Sequence, residues 1–280
     1  MVVWLGQSAT VATVGAKSAH LSRLSQRYPV PQGFCLSVAA FTQWVAAGCP
    51  DHLPEPLQRL VEEAYQQLAA LTHVDNPPVA VRSSAVDEDS RNASFAGQYE
   101  SYLNVSGVDA VSKAILACWH SAFAERVLIY RRNALTSVAC QPLAVLVQRM
   151  VPADIAMVVF SRHPITHEPD VVINATWGLG PSLVDGSTTP DTYVVRRSDG
   201  VLLERTVGTK TTMTILLPTG VKQAPTPRPM RTQAVMGAAL IQEVTRLTVQ
   251  LEAEMGWPVD MEAAYRHQQL HLLQCRPITT

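Results

Sequence analysis

The sequence predicts a mixed α/β (α+β) chain built on mixed or antiparallel sheets, and three features carry that prediction. Helical periodicity marks residues 108–134 and 232–255. Strand-like apolar runs crowd residues 143–217, and the chain closes on two alternating runs separated by a short polar turn.

Taken in order, Gly15 to Gln26 reads as a loop leading into a helix, which the Pro29 to Gly33 segment breaks. Helices are predicted at 38–47 and 56–71, the second ended by Asp75-Asn76-Pro77-Pro78. Residues 79–82 form a short buried strand, and Ser83 to Gln98, rich in small and polar residues, is a mobile-loop candidate. Val111, Ile115, Cys118, Trp119, Ala122, Phe123, Val127 and Tyr130 mark one apolar face of the 108–134 helix. Strands are predicted at 143–148, 155–160, 171–175, 193–195, 201–207 and 211–217. Pro218, Pro225, Pro227 and Pro229 then mark an irregular connection to the amphipathic helix at 232–255.

The last twenty or so residues carry the clearest chemistry. Strand side chains alternate faces, so Asp260, Glu262 and Ala264 share one face of the first run, and Leu272, Gln274 and Arg276 one face of the second. With an odd turn centred on Gln268, Glu262 stands opposite Gln274 and Asp260 opposite Arg276. A carboxylate, an amide oxygen and a guanidinium then converge, a set suited to a divalent cation bridging phosphate oxygens. The same residues equally suit an ordinary edge hairpin with solvated polar side chains.

Charge and cysteine usage exclude several classes. With 22 basic and 23 acidic residues among 280, the chain has no net field, which argues against nucleic acid or an anionic membrane as a generic partner. Five cysteines, widely spaced and without a C-x-x-C pair, suggest neither a disulfide framework nor a zinc site, and a reduced cytoplasm is the simplest compartment. The first residues lack the basic flank of a signal peptide, and no apolar run approaches the roughly 18 residues of a membrane span.

Three tempting motifs fail on spacing. Gly15-Ala16-Lys17-Ser18 imitates the end of a Walker loop, but Ala16 and Val11 stand where both glycines belong. Gly178-Leu179-Gly180 lacks the third glycine of a dinucleotide fingerprint, because Leu183 occupies that place. His163 and His167 are four apart as in a helical metal pair, yet Pro164 between them argues for a loop.

Val79 to Ala85 (VAVRSSA), Glu88-Asp89 and Ala93 to Val105 (ASFAGQYESYLNV) resemble the nucleotide-binding domain, of the ATP-grasp type, of phosphoenolpyruvate synthase, pyruvate phosphate dikinase and rifamycin phosphotransferase. Gly15 to Leu21, Val30 to Phe34, Cys118 to Ser121, Val147 to Val151, Asn174 to Gly180, Thr189 to Tyr193 and Leu273 to Thr279 resemble further segments of that family, in its order. The resemblance covers almost the whole chain. It implies a single two-lobed nucleotide-binding module over residues 1–280, with approximate lobes 1–141 and 142–280, binding MgATP between them.

The resemblance also implies residue roles. Lys17 and Arg82 contact ATP phosphates, and Gly97 and Ser101 belong to a small-residue loop that closes over them. Without the family, Lys17 is a solvated lysine and Arg82 pairs with Glu88 or Asp89. Gln148, Met150 and Val151 read adenine; Glu262 and Gln274 hold Mg2+; Arg276 grips phosphate. Catalysis by positioning and charge neutralisation then falls to Lys17, Arg82 and Arg276.

In this family ATP phosphorylates a histidine on a swivelling domain, which carries the group to pyruvate or a drug. No recognisable phosphohistidine segment occurs among the eight histidines, so a separate phosphohistidine and substrate-binding subunit is the expected partner of a free-standing or truncated relative. Ala16, Ser18, Met157, Arg162 and His163 depart from the family pattern. Two alternatives therefore stand beside the phosphotransferase component: an inactive ATP-binding regulatory or scaffold module, and a rifamycin phosphotransferase fragment.

Overall fold

Leu143 to Leu146 and their neighbours lie buried without alternation, which a strand achieves only when both faces of its sheet are covered. A computed structural model describes residues 1–86, 89–90, 93–94, 101–123 and 142–278. Two compact units divide them, Met1–Met150 and Val151–Thr280. Helices and antiparallel sheets make both, in agreement with the α/β class expected.

In chain order the first unit contains β1 (Val2–Trp4), α1 (Val11–Leu24), β2 (Gly33–Leu36), α2 (Val38–Ala46), α3 (Glu55–Thr72) and β3 (Val79–Ala85). It continues with β4 (Asp89–Ser90), β5 (Ala93–Ser94), β6 (Ser101–Val105), α4 (Val108–Ser121) and β7 (Leu143–Arg149). An antiparallel sheet runs β1-β2-β7-β3-β6. Phe34, Leu36, Val79, Val81, Val145 and Val147 face a core shared with Trp44, Leu57, Tyr65 and Trp119 of the helices. Cys35 and Ala144, one step along their strands, pack against Val14 and Ala19 of α1 on the other face. Because β7 is paired with both β2 and β3, this unit extends to Met150, past the approximate lobe boundary at residue 141.

Indole and phenol groups in this core reach backbone partners. Trp119 Nε1 donates to Leu143 O at 3.1 Å, Trp44 Nε1 to Pro50 O at 2.9 Å, and Tyr65 Oη to Pro77 O at 2.8 Å. The Trp44 and Trp119 rings stack with centroids 5.4 Å apart.

The second unit contains β8 (Ile155–Phe160), β9 (Val171–Trp177), α5 (Pro181–Val184), β10 (Asp191–Val195) and β11 (Leu202–Thr206). After them come β12 (Thr212–Leu216), β13 (Val221–Pro225), α6 (Ala238–Met255), β14 (Val259–Arg266) and β15 (Gln269–Pro277). A six-stranded antiparallel sheet runs β11-β10-β9-β8-β14-β15, and β12-β13 form a separate hairpin. Met261 touches Thr248 of α6, so Val259, Met261 and Ala263 point to that helix while Asp260 and Glu262 point to the opposite face.

The segment expected to be an irregular connection is partly strand β13, and the following helix starts at Ala238 rather than Thr232. The reason is tertiary. Asp191, on β10, accepts hydrogen bonds from the Val235 amide at 2.7 Å and the Gly208 amide at 3.0 Å and is ion-paired with Lys210, both side chains being fully buried. Tyr193 Oη accepts from the Met236 amide at 3.1 Å. The 235–236 stretch is thereby tied to the sheet before the helix begins.

Candidate functional site

On the first unit the chemistry gathers on the α1 face of the sheet. Gly15 interrupts α1 with φ 73° and ψ 167°, so the helix proper starts at Ala16. A Cβ at Gly15 would lie 1.9 Å from Ser84 O, so both the conformation and the space demand glycine. This break brings Lys17, only 6% exposed, against β3, where its Nζ donates to Ser83 O at 2.8 Å. The Ser18 amide donates to Ser84 Oγ at 3.1 Å, and that hydroxyl donates to Val14 O at 2.8 Å. Lys17 is therefore a buried, anchored cation.

Arg82 stands on β3 opposite Leu146 and opposite Ser101, the first residue of β6. Alternation puts it on the same face as Ser84, so Lys17, Arg82 and Ser101 occupy one end of that face. Gly97 and Glu88 lie outside the described residues, as does the Asp89 side chain. Further along the face, Gln148 pairs with Ala80 and Gly33 and is 2% exposed. Its Nε2 donates to Pro31 O at 3.1 Å, so the carboxamide pins the Pro29–Gly33 loop. The Arg149 and Met150 amides donate to Gln32 O at 2.8 Å and Pro78 O at 2.9 Å. Met150 and Val151 are buried.

On the second unit the terminal hairpin has the expected facing pairs, Asp260 with Arg276 and Glu262 with Gln274. The turn differs from the odd one expected. Arg266 pairs with Gln269 across the two residues His267 and Gln268, both at positive φ (49° and 61°), and a β-bulge beside Glu262 and Ala263 restores the one-residue offset. The bulge also moves Leu272, which stands opposite Ala263, out of the row that holds Gln274 and Arg276.

Arg276 donates through Nε at 2.8 Å and approaches through Nη2 at 2.7 Å, both to Asp260 Oδ2. Asp260 Oδ1 is left buried with no hydrogen-bond partner. Burial pushes the Asp260 carboxyl above the usual aspartate range; Arg276 opposes this, and Glu262 adds to it. Glu262 is half-buried and Gln274 is 6% exposed. Next to them in register stand half-buried Val158 and Phe160 of β8. An uncompensated carboxylate oxygen costs about 1–3 kcal/mol, and a hard cation meeting Asp260, Glu262 and Gln274 oxygens would relieve it.

Among the described residues no group of three or more His, Cys, Asp or Glu side chains forms a metal site. A cation at the hairpin would thus draw on the Gln274 amide and on ligand oxygens besides the two carboxylates. His163 Nδ1 accepts amide hydrogens from Ile165 at 3.2 Å and Thr166 at 3.1 Å, which makes it a turn cap in the loop expected from Pro164. The place of Asp260 opposite Arg276 is expected from the sequence, but its orphaned oxygen is a property of packing. Lys210, fully buried beneath Asp191, gives no sequence signal.

The second unit also places Arg162 and Arg197 on one carboxylate, Glu252, at 3.6 Å and 2.8 Å. Arg162, a departure from the expected pattern, thereby has a structural partner. Met157, another departure, is buried between Ala263 and Ala175.

Residues 49–280 match the family described as pyruvate phosphate dikinase, AMP/ATP-binding domain. A probable phosphoenolpyruvate synthase of Methanothermobacter thermautotrophicus is 34% identical over 96% of this chain and 44% of its own length. The prodigiosin synthesizing transferase PigC of Serratia marcescens is 34% identical over 95% of this chain and 32% of its own length. An uncharacterized phosphotransferase of Bacillus subtilis, YvkC, is 31% identical over 95% of this chain and 33% of its own length. This chain spans less than half the length of each of these curated relatives. The order and extent of the shared segments, on a two-unit α/β frame, lead to one conclusion: the chain belongs to the pyruvate phosphate dikinase AMP/ATP-binding domain family.

Proposed function

We propose that this chain is the ATP-binding component of a phosphotransferase of the phosphoenolpyruvate synthase type, with an ATP-grasp-like mode of nucleotide binding. The observation that carries the proposal is the hairpin carboxylate pair with its orphaned Asp260 oxygen, set beside an arginine. In this reading Lys17, Arg82 and Arg276 neutralise the phosphates and act in catalysis, while Gly97 and Ser101 bring backbone amides close to them. Gln148, Met150 and Val151 border adenine, Gln148 by fixing the Pro29–Gly33 loop. Glu262 and Gln274, joined by Asp260, hold Mg2+, which when bound supplies charge neutralisation on the phosphate oxygens.

The phosphoryl acceptor in this proposal is a histidine on a partner domain or chain, which hands the group to pyruvate or another small acceptor; AMP is released if the chain follows the synthase branch. The test is incubation with β-labelled and γ-labelled ATP, with and without the product of a neighbouring gene. Acid-labile label on a partner histidine supports transfer. Tight ATP binding with no labelled partner supports the alternative, a regulatory or scaffold module. That alternative draws on the Ser18 amide, which already donates to Ser84 Oγ rather than standing open to a phosphate.

A further inference from the structure

The sheet face that carries Asp260 and Glu262 holds a second polar group on the far side of β8. Register runs straight across it: Glu262 stands opposite Val158, Val158 opposite Asn174, and Asn174 opposite Thr192, so these side chains share that face. Each of them is half-buried. In the next row Ala264, Ala156 and Thr176 are buried, so on these strands the accessible part of the face begins at the row of Glu262 and Asn174.

Asn174 is turned by its neighbour. The Thr192 hydroxyl donates to Asn174 Oδ1 at 2.9 Å, which engages the acceptor end of the carboxamide, and among the described residues no hydrogen bond uses Nδ2. The pair therefore presents N–H groups, which suit an acceptor oxygen. Asn174 and Glu262 sit on strands separated by one, so their backbones are about 9–10 Å apart, with the apolar Val158 between them. That gap takes one phosphate group, with a hydrogen bond on one side and a cation held by carboxylate on the other. We propose that Asn174 donates through Nδ2 to the terminal phosphate of ATP, and that Thr192 is the positioning residue that keeps the carboxamide turned for it. The proposal rests on the nucleotide reading above and adds to it a neutral donor facing the phosphate from the side opposite the hairpin.

Calorimetric titration of the whole chain with MgATP, and with AMP by displacement, tests it. Asn174→Asp keeps an acceptor for Thr192 and loses the donor, while Asn174→Leu loses the donor without adding charge. Each should weaken MgATP binding by about tenfold or more, the worth of one hydrogen bond to a charged group, and leave AMP affinity unchanged. Thr192→Val should weaken MgATP by a smaller factor, and Thr192→Ser, which keeps the hydroxyl, should restore it. Unchanged far-ultraviolet dichroism confirms that each variant is folded. Wild-type MgATP affinity in Asn174→Leu, beside a lost metal-dependent gain in Glu262→Gln, overturns this assignment and leaves the nucleotide reading standing. Equal weakening of AMP and ATP overturns it too, because the donor then serves a part of the nucleotide common to both. A wild type that binds no ATP overturns both the assignment and the reading beneath it.

Discussion

At the scale of single residues, pairing is legible in the sequence and burial is not. The pairs Glu262 with Gln274 and Asp260 with Arg276 are expected from an odd turn, whereas a two-residue turn and a β-bulge together produce them, and the bulge has no local signal. Asp260 also stands opposite Phe160 of β8, a strand distant in sequence, and no local signal encodes the burial of its oxygen. Arg276 has its charge answered by Asp260 within the same hairpin. Asp260→Asn should weaken Mg-dependent ATP affinity by about tenfold or more, roughly the worth of one charge-assisted contact, while leaving the dichroism spectrum unchanged.

Glu252 gives a pH prediction. Burial alone would raise its carboxyl, but the Ser161 hydroxyl and the Arg197 and Arg162 guanidinium groups outweigh that and hold it below the usual glutamate range. A depressed carboxyl contributes stability that is present above its unfolded value, about 4.3, and that is lost as pH falls through the lower folded value. Glu252→Gln should therefore lower stability near neutral pH by about 1–2 kcal/mol. The gap between variant and wild type should narrow as pH falls below about 4.3, which thermal melts across that range would measure.

At the scale of elements, long periodic segments and long apolar runs are readable, and short or tertiary-held ones are not. The strand at 143–149 stands out because near-continuous burial leaves a continuous apolar run, and 155–160 is an apolar run as well, with Val158 and Phe160 half-buried. β1 and β2 are three and four residues long, too short for a pattern, and Pro225 at the end of β13 disguises that strand. The break in α1 is legible as a loop-to-helix change at Gly15, but its cause, the Ser84 carbonyl against the glycine, comes from β3.

Gly15→Ala should consequently force α1 away from β3 and displace Lys17. A loss of about 2–4 kcal/mol in stability is expected, together with weaker ATP binding, by denaturant unfolding and titration. The β14-β15 turn offers the opposite test. His267 and Gln268 occupy two positive-φ positions that favour Asn-Gly, so the double change His267→Asn, Gln268→Gly should stabilise the chain by about 0.5–1 kcal/mol without altering nucleotide affinity. A fall in affinity would mean that the hairpin tip takes part in binding.

At the scale of the whole molecule, the ordered series of segments speaks for the family, which the match over residues 49–280 bears out. No helix among the described residues is long and apolar enough to cross a membrane. The proposed acceptor and the proposed partner have no counterpart in local sequence, since both would depend on surfaces other than the residues proposed to bind nucleotide. The central proposal is that Lys17 and Glu262 each take part in binding MgATP. Calorimetric titration of ATP, with Mg2+ and with a chelator, into wild type, Lys17→Met and Glu262→Gln tests it most directly. The account predicts weaker binding with and without metal for Lys17→Met, and for Glu262→Gln a loss of the metal-dependent gain alone, with the fold intact. Unchanged MgATP affinity in either variant would contradict it.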